Sequence, residues 1–400
     1  MSHHPTTHPT HPRTRPARRP ASRPATGLVP AAAVLAVVGL AVAAGPATAA
    51  TAPTSTVSTA TVTTRPGDRG LYGVQDPTYD GVLRQGYALV ALRTAGRAVP
   101  ASAVGWLLRQ QCADGSFASY RAATRAACSP RTPNGRDTNA TAAAVIGLRA
   151  VGTPAARAAA GRAVGWLERV QNRDGGVGFT FRAATDANST GLFVEALVAS
   201  RVDPATVRSA AGHTPVQALV GLQVSCSGPR ADRGALDYQR ERPLRPNSLA
   251  TTGALLGLAG GTLPVAPRAS TAAVPRLGCG VARRPRTRVV AAAAAAGWTA
   301  RELGAHHGVV PGLDGRTPDV GQTVGALLGL VRDGVADRQV ARTVARLQGG
   351  LLRSWVRLDG RDRPAAAAEA ILLAHALGAR PTDFGGVDYV RRLVATGPRA

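Results

Sequence analysis

Four stretches of the chain repeat one pattern of polar and apolar positions over twelve residues. Each begins with Asp or Asn, has Thr four residues later, and ends on a small residue followed by Leu. The four copies are 137–148, 186–197, 247–258 and 319–330, and weaker relatives lie at 81–92 and 366–377. Asp or Asn at the start is typical of a helix N-cap. Because nearly all the remaining positions are apolar, the pattern predicts six buried helices.

A second kind of segment, amphipathic and richer in arginine, alternates with these stretches. In 155–171, for example, apolar residues recur three or four positions apart, which predicts a helix with one solvent-facing side. The six amphipathic segments are 100–111, 155–171, 204–224, 287–303, 336–348 and 383–396. Six buried helices alternating with six amphipathic ones predict an all-α fold, an (α/α)6 toroid. Its six inner helices would be parallel, and its six outer helices antiparallel to them.

Two amphipathic segments end in a related turn, which carries a family resemblance. Both 105–117 and 165–179 begin with Gly-Trp-Leu, contain Gln near the helix end, and place Asp-Gly in a tight turn before Phe. The stretch from Trp166 to Phe179 resembles the QW-type repeat of the terpene cyclase and protein prenyltransferase superfamily, and is more distantly similar to the cobalamin-carrier toroids. The resemblance implies the toroid fold. It does not imply an activity, because the QW turn is a structural device in these families.

The resemblance extends to the position of a catalytic acid, although the acid itself is missing. Squalene-hopene-type cyclases carry D-x-D-D-T-A at the start of an inner helix, and this chain has Asp137-Thr-Asn139-Ala140-Thr-Ala in that frame. An amide cannot protonate an alkene, and 4 Trp, 6 Tyr and 5 Phe leave few rings to stabilise a carbocation. No prenyltransferase zinc triad is evident either. These absences favour a binding protein over an enzyme. The sequence does not identify a catalytic residue.

The expected ligand site is the mouth where the inner helices begin. Positive helix ends beside side-chain oxygens would form a polar rim over an apolar throat. The candidate mouth residues are Asp137, Asn139, Asp186, Asn188, Asn247, Asp319 and Gln322, together with Glu195 and Glu369, two carboxylates in otherwise apolar helices. The alternative is that each Asp or Asn only caps its own helix. No cofactor and no metal site are expected.

The first fifty residues have the pattern of an export signal. Arginines without any acidic residue precede an apolar run at 28–44 and the small-residue triplet at 47–49. We predict a signal peptide over 1–49, a Thr/Ser/Pro-rich linker over 50–69, and the toroid domain over 70–400, so that the protein is secreted. A retained N-terminal membrane anchor is the alternative.

Four cysteines follow the predicted signal. Their even number in an exported chain predicts two disulfides. Of the three possible pairings we favour Cys112 with Cys128 and Cys226 with Cys279.

Charge and composition narrow the possible partners. The 400-residue chain has 48 basic residues, all arginine, against 23 acidic ones, and its net charge of +25 falls to +20 when the signal removes five arginines. Because the arginines are spread along the chain, nucleic acid is not an expected partner. The lysine-free composition indicates a GC-rich genome and, with the export pattern, a secreted actinobacterial-type protein.

Three function classes stay open at this point. The first is a non-catalytic toroid that binds a small apolar ligand or an anionic cell-envelope polymer. The second is a terpenoid-cyclase-like or glycan-active enzyme with an acid not yet located. The third is a structural scaffold of the envelope. After signal cleavage no membrane association is expected, and the sequence does not indicate an oligomeric state.

Overall fold

Each inner-helix repeat and each amphipathic segment contains a helix in the described part of the chain. The computed structural model describes residues 68–128, 135–279 and 287–398, so the predicted signal peptide and most of the linker lie outside the described residues. In chain order the helices of this part are α1 (Gly81–Thr94), α2 (Ala101–Gln110), α3 (Thr138–Val151), α4 (Pro154–Arg169), α5 (Ala187–Ala199), α6 (Pro215–Leu222), α7 (Ser248–Leu258), α8 (Arg288–Ala305), α9 (Val320–Asp333), α10 (Asp337–Arg346), α11 (Leu352–Val356), α12 (Pro364–Ala376) and α13 (Tyr389–Ala395).

Six of these helices close into a ring. Helix α1 packs on α3, α3 on α5, α5 on α7, α7 on α9, α9 on α12, and α12 returns to α1. Helices α2, α4, α6, α8, α10 and α13 each pack on the inner helix that precedes them in the chain. This closed arrangement of the described residues confirms the predicted all-α toroid of six inner and six outer helices.

The inner helices begin at the same end of the ring. Asn188, in the first turn of α5, donates through Nδ2 to the carbonyl of Leu249 in the first turn of α7 at 3.2 Å. Small residues let the helices approach closely. A Cβ on Gly86 of α1 would lie 2.5 Å from the carbonyl oxygen of Ala143 in α3. The glycine and alanine content of the repeats therefore sets the tightness of the ring.

The apolar core lies between the inner and outer helices. Trp106 of α2 and Trp166 of α4 are buried there with Leu107, Leu167 and Phe193. Burying large side chains of this kind contributes about 1.5–3 kcal/mol each. The tryptophans of the QW-like turns thus act in packing outer helices onto inner ones.

Three outer segments differ from their predicted bounds. The segment predicted over 204–224 is helical only in α6, because Thr214 forms a capping box with Gln217 and Pro215 takes the first helical position. Helix α13 begins at Tyr389 rather than 383, after Gly385 and Gly386, which both have positive φ.

The third difference is an extension rather than a shortening. Helix α10 continues through a π-helical turn at Leu347–Leu351 into α11, with Gly350 at a φ of 123° inside that turn.

Two short hairpins are also present. Strand β1 (Val310–Pro311) pairs with β2 (Pro318–Asp319), and β3 (Arg357–Leu358) with β4 (Arg361–Asp362).

Both predicted disulfides are present. Cys112 is bonded to Cys128, and Cys226 to Cys279, which confirms the favoured pairing. The first bond closes a loop between α2 and α3, and the second joins the loop after α6 to the segment before α8. No helix among the described residues is both long and apolar enough to cross a bilayer.

Candidate functional site

The first polar residue of each strong repeat caps its inner helix, and we call these four residues the rim. In each case the side-chain Oδ1 accepts a hydrogen bond from the backbone amide three residues later. The distances are 2.9 Å for Asp137, 2.7 Å for Asp186, 2.8 Å for Asn247 and 2.9 Å for Asp319. The geometry is that of an N-cap, as in the capping alternative.

The threonine of each repeat fastens the preceding loop to the inner helix. Its Oγ1 accepts a hydrogen bond from a backbone amide of the loop that enters the helix. The amides belong to Phe117, bonded to Thr141 at 2.9 Å, Val177 to Thr190 at 3.1 Å, Leu236 to Thr251 at 2.8 Å, and Val310 to Thr323 at 2.9 Å. All four threonines are buried. The Asp/Asn-to-Thr pattern is therefore explained by the fold, without a ligand.

The QW-like turn is structural in the same way. Nε2 of Gln111 donates to the carbonyl of Gly115 at 3.0 Å, and Nε2 of Gln171 donates to that of Gly175 at 2.7 Å. Gly115 has a φ of 96°, and a Cβ on it would lie 2.5 Å from the carbonyl oxygen of Arg162 in α4. Only glycine fits this turn against the next outer helix.

Two rim carboxyls, those of Asp137 and Asp186, are buried and have hydrogen-bond partners. Oδ2 of Asp137 accepts a hydrogen bond from Ser119 Oγ at 2.6 Å. Burial raises the pKa of Asp137 to about 6, and the hydrogen bonds from Ser119 and Ala140 limit the rise. Burial raises the pKa of Asp186 to about 6 as well, against hydrogen bonds from Ser189. Asp137, which aligns with the first Asp of the cyclase motif, thus uses both of its oxygens within the fold.

The positions opposite the threonines face the space inside the ring, which we call the lumen. With 100° per residue, the residues two before, two after and five after each threonine point away from the outer helices. From the rim inward these are an upper layer (Asn139, Asn188, Leu249, Gly321), a middle layer (Ala143, Leu192, Gly253, Gly325) and a lower layer (Ile146, Glu195, Leu256, Leu328).

Exposure falls with depth in the lumen. Asn139 and Asn188 of the upper layer and Leu192 and Gly325 of the middle layer are half-buried. Every residue of the lower layer is buried. A Cβ built on Gly325 would have no atom within 4 Å, so open space adjoins α9 at this level. The wall of the lumen is therefore partly exposed at the upper two layers and buried at the third.

Two carboxyls reach the lumen from opposite sides of the ring. Glu195 lies on α5 and Glu369 on α12, which is three places further around the six-membered ring. Burial raises the pKa of each to about 8; for Glu369 a nearby Arg363 lowers it and Asp319 raises it further. Both carboxyls are therefore neutral at pH 7. Among the described residues neither has a hydrogen bond or an ion pair.

Tyr87 of α1 links the two carboxyls electrostatically. Burial, and then the charges of Glu195 and Glu369, raise the pKa of Tyr87 well above its ordinary value. Its side chain therefore lies near both carboxyls.

In the upper layer, Oδ1 of Asn139 and Oδ1 of Asn188 are buried without a hydrogen-bond partner among the described residues. Apart from these amides, the carboxyls and Tyr87, the wall of the lumen consists of Gly, Ala, Leu and Ile.

The predicted mouth residues thus divide into three groups. Asp137, Asp186, Asn247 and Asp319 are engaged in helix caps. Gln322 joins α9 to α7, accepting through Oε1 from Thr252 Oγ1 at 2.6 Å. Asn139 and Asn188 line the lumen at its upper layer, Glu195 lines it at the lower layer, and Glu369 reaches it from α12.

Sequence reasoning missed Tyr87. It lies in the weak repeat 81–92 at the position that Ala143 occupies in 137–148. Aligning the weak repeat with the strong ones would have placed it beside the lumen.

Comparisons with known proteins find similarity only to solved structures of low sequence identity. No protein-family model matches the chain, and no curated protein matches it. Two solved structures are similar to it. A protein from Actinoplanes has a TM-score of 0.45 at 18% identity, covering 75% of this chain and 79% of that one. The ent-copalyl diphosphate synthase from Streptomyces platensis has a TM-score of 0.47 at 16% identity, covering 74% of this chain and 50% of that one.

This chain spans half the length of the synthase. The closed helix ring itself carries the fold assignment.

Proposed function

We propose that this protein is a non-catalytic carrier whose lumen binds a small, mainly apolar molecule with one polar group. The observation that carries the proposal is the pair Glu195, which is buried, and Glu369, which is half-buried, on opposite inner helices without hydrogen-bond partners among the described residues. The fold uses neither carboxyl in a hydrogen bond, so both are available to a ligand. Each hydrogen bond formed with a ligand would contribute about 1 kcal/mol.

The chemistry of the lumen indicates the class of ligand. A neutral carboxyl donates one hydrogen bond and accepts others, so it suits a hydroxyl or carbonyl group better than an ion. Tyr87 adds a further hydroxyl. The apolar wall, with Leu192 and Leu256 next to Glu195, favours a hydrocarbon body at about 25 cal/mol for each Å² buried. A terpenoid alcohol or ketone has this combination of features.

Binding is favoured over cyclisation by the residues that the lumen lacks. Among the twelve residues of the three layers, together with Tyr87 and Glu369, Tyr87 is the one aromatic side chain. A carbocation needs several aromatic ring faces around it. The carboxyl that aligns with the cyclase motif, Asp137, is engaged with Ser119 and the helix cap. Export is part of the same proposal, since two disulfides are typical of proteins from oxidising compartments.

Filling the lumen tests the carrier proposal. Gly325→Phe would project a ring into the open space beside α9, and Gly161→Phe is the matched control because a Cβ on Gly161, on outer helix α4, also meets no atom within 4 Å. Native mass spectrometry of protein secreted by its own host should show a co-purifying small molecule in the wild type and in Gly161→Phe. The same mass should be absent from Gly325→Phe.

Two results would contradict the carrier. Equal occupancy in both glycine variants would place the ligand elsewhere, and no co-purifying or added terpenoid in any variant would favour the structural scaffold. Circular dichroism of each variant confirms that the helices are intact.

A second candidate function, an acid-catalysed enzyme, is favoured by the same two carboxyls. A carboxyl with a pKa of about 8 keeps its proton at pH 7 and can act as a general acid. Incubation with an acyclic polyprene such as squalene, followed by gas chromatography and mass spectrometry, separates the two functions. A cyclic product that disappears in Glu195→Gln or Glu369→Gln would establish the enzyme and exclude the carrier.

A further inference from the structure

A second cavity lies away from the lumen, against outer helix α8 and the disulfide between Cys226 and Cys279. Its volume is about 290 Å³. We call it the arginine pocket, because four of its six lining residues are arginines: Arg230, Arg233, Arg276, Leu277, Cys279 and Arg301. None of these residues belongs to the lumen or the rim, so the pocket is independent of the proposed carrier function.

The positive charge of the pocket is not neutralised by the protein. No ion pair among the described residues includes any of its four arginines. All 23 acidic residues of the chain lie within the described ranges, so the remaining segments bring no further carboxyl side chain. Burial and the positive charge of Arg276 lower the pKa of Arg301. The guanidinium groups therefore repel one another.

The two acidic residues nearest in sequence do not change this picture. Glu302 follows Arg301 but accepts a hydrogen bond from Ser248 Oγ at 2.7 Å and pairs with His306 at 3.4 Å. Asp232 precedes Arg233 but does not line the pocket and forms no ion pair among the described residues. Neither carboxylate serves as a counter-ion there.

Backbone contacts hold two of the arginines in place. Arg301 donates through Nη1 to the carbonyl of Pro275 at 3.1 Å. Arg233 donates through Nε to the carbonyl of Gly228 at 3.0 Å, and through Nη1 to the sulfur of Cys279 at 3.5 Å. A guanidinium has five N–H donors, so each keeps others for a ligand.

The first disulfide loop shows the contrast. Arg121, in the loop closed by Cys112 and Cys128, is buried and donates to several backbone carbonyls at once. Three of these acceptors are Gln111 at 2.9 Å, Thr124 at 2.7 Å and Ala126 at 2.6 Å. That guanidinium is satisfied by its own loop. The arginines beside the second disulfide line a cavity instead.

We propose that the arginine pocket binds a phosphoryl anion, such as a diphosphate or a phosphate monoester. Four arginines that line one cavity without a carboxylate favour a ligand with at least two negative charges and several acceptor oxygens. Arginine forks match phosphate oxygens in pairs of parallel hydrogen bonds. The disulfide brings the loop with Arg230 and Arg233 against the segment with Arg276. The phosphoryl group belongs either to a free phosphorylated molecule or to the head group of an envelope lipid.

Calorimetric titration of the full chain with inorganic diphosphate tests the pocket. One site per chain is expected. Arg276→Gln with Arg301→Gln should weaken binding by about tenfold or more, the change that accompanies loss of a charge-assisted hydrogen bond. Arg342→Gln with Arg346→Gln removes the same charge from exposed positions of α10 and should leave the affinity within about twofold.

Two outcomes would overturn the proposal. One is absence of diphosphate binding to the wild-type protein. The other is an equal loss of affinity in both double variants, which would mean that diffuse surface charge alone attracts the anion. Thermal unfolding followed by circular dichroism identifies a variant that has lost its fold. In that case the single variant Arg276→Gln, at an exposed position, gives the decisive titration.

Vesicles distinguish the source of the phosphoryl group. For a lipid head group, the protein should sediment with phosphatidic acid vesicles, be released by free diphosphate, and lose this binding in Arg276→Gln with Arg301→Gln. For a free ligand, the double variant should lose diphosphate binding and sediment with vesicles as the wild type does. Either result supports the pocket. A double variant that binds both probes as the wild type does contradicts it.

Discussion

The rim and the lumen of the helix ring contain the same kinds of polar side chain but use them differently. At the rim, the buried carboxyl of Asp137 accepts hydrogen bonds from Ser119 and Ala140, and burial raises its pKa only to about 6. In the lumen, the carboxyl of Glu195 has no such partner among the described residues, and burial raises its pKa to about 8. Hydrogen bonds to the charged form account for the difference. Rim groups stabilise the fold, whereas the carboxyl in the lumen takes no part in its described hydrogen bonds.

The largest expected effect is a loss of stability as the pH rises. The pKa of Glu195 is raised from 4.5 to about 8 in the fold, and that of Glu369 likewise. Between these pH values the folded chain keeps protons that the unfolded chain releases. The free energy of unfolding should therefore fall by about 1.4 kcal/mol per pH unit for each group. This stabilisation is complete below pH 4.5 and lost above pH 8.

Glu195→Gln isolates this contribution from that of the rim carboxyls. Urea unfolding at pH 5, 6.5 and 8 should show a shallower decline in the variant than in the wild type. Glu168→Gln removes a carboxyl from the partly exposed surface of α4 and should change the stability by less than about 0.5 kcal/mol at each pH. If the unfolding free energies of wild type and Glu195→Gln fall equally with pH, the lumen carboxyl is solvated. It would then not differ from the rim carboxyls in the way proposed.

The next largest effect is expected at the rim. Asp137→Ala removes a helix cap and leaves Ser119 Oγ and the Ala140 amide without their partner. The free energy of unfolding should fall by about 3 kcal/mol. Asp137→Asn keeps the cap acceptor and should lose less than half as much. Equal losses in the two variants, measured by urea unfolding at pH 7, would mean that the charge rather than the cap stabilises the rim.

A smaller effect is expected for the threonine that fastens a loop. Thr190→Val has nearly the same shape but leaves the buried amide of Val177 without its acceptor. We expect a loss of about 1–2 kcal/mol in unfolding free energy. Hydrogen exchange of the Val177 amide should become faster in the variant. An unchanged exchange rate would show that the loop is held by other contacts.

The smallest effect is expected for an amide of the upper lumen. Oδ1 of Asn139 is buried without a hydrogen bond among the described residues. Asn139→Leu should change the unfolding free energy by less than about 1 kcal/mol, because no native hydrogen bond to Oδ1 is lost. A loss as large as that of Asp137→Ala, in the same urea assay, would remove the distinction between rim and lumen.

Much of the fold could be predicted because its signals are local. An Asp or Asn with Thr four residues later specifies a cap and a loop attachment within one repeat, as at Asp137 and Thr141. The bounds of α6 were missed because a capping box at Thr214, which overrides the apolar pattern before it, decides where that helix begins. Tyr87 was missed because its repeat lacks these strong end signals.

By itself, the amino-acid sequence determined the six inner and six outer helices, the caps that begin the strong repeats, and the disulfide partners. These depend on interactions within one repeat or between nearby segments. Only the tertiary structure decided which polar groups are left without partners. Closing the ring places Glu369 of α12 across from Glu195 of α5, and the second disulfide gathers four arginines from three segments. Contacts between segments far apart in the chain set burial and charge at these sites, and no local pattern records them.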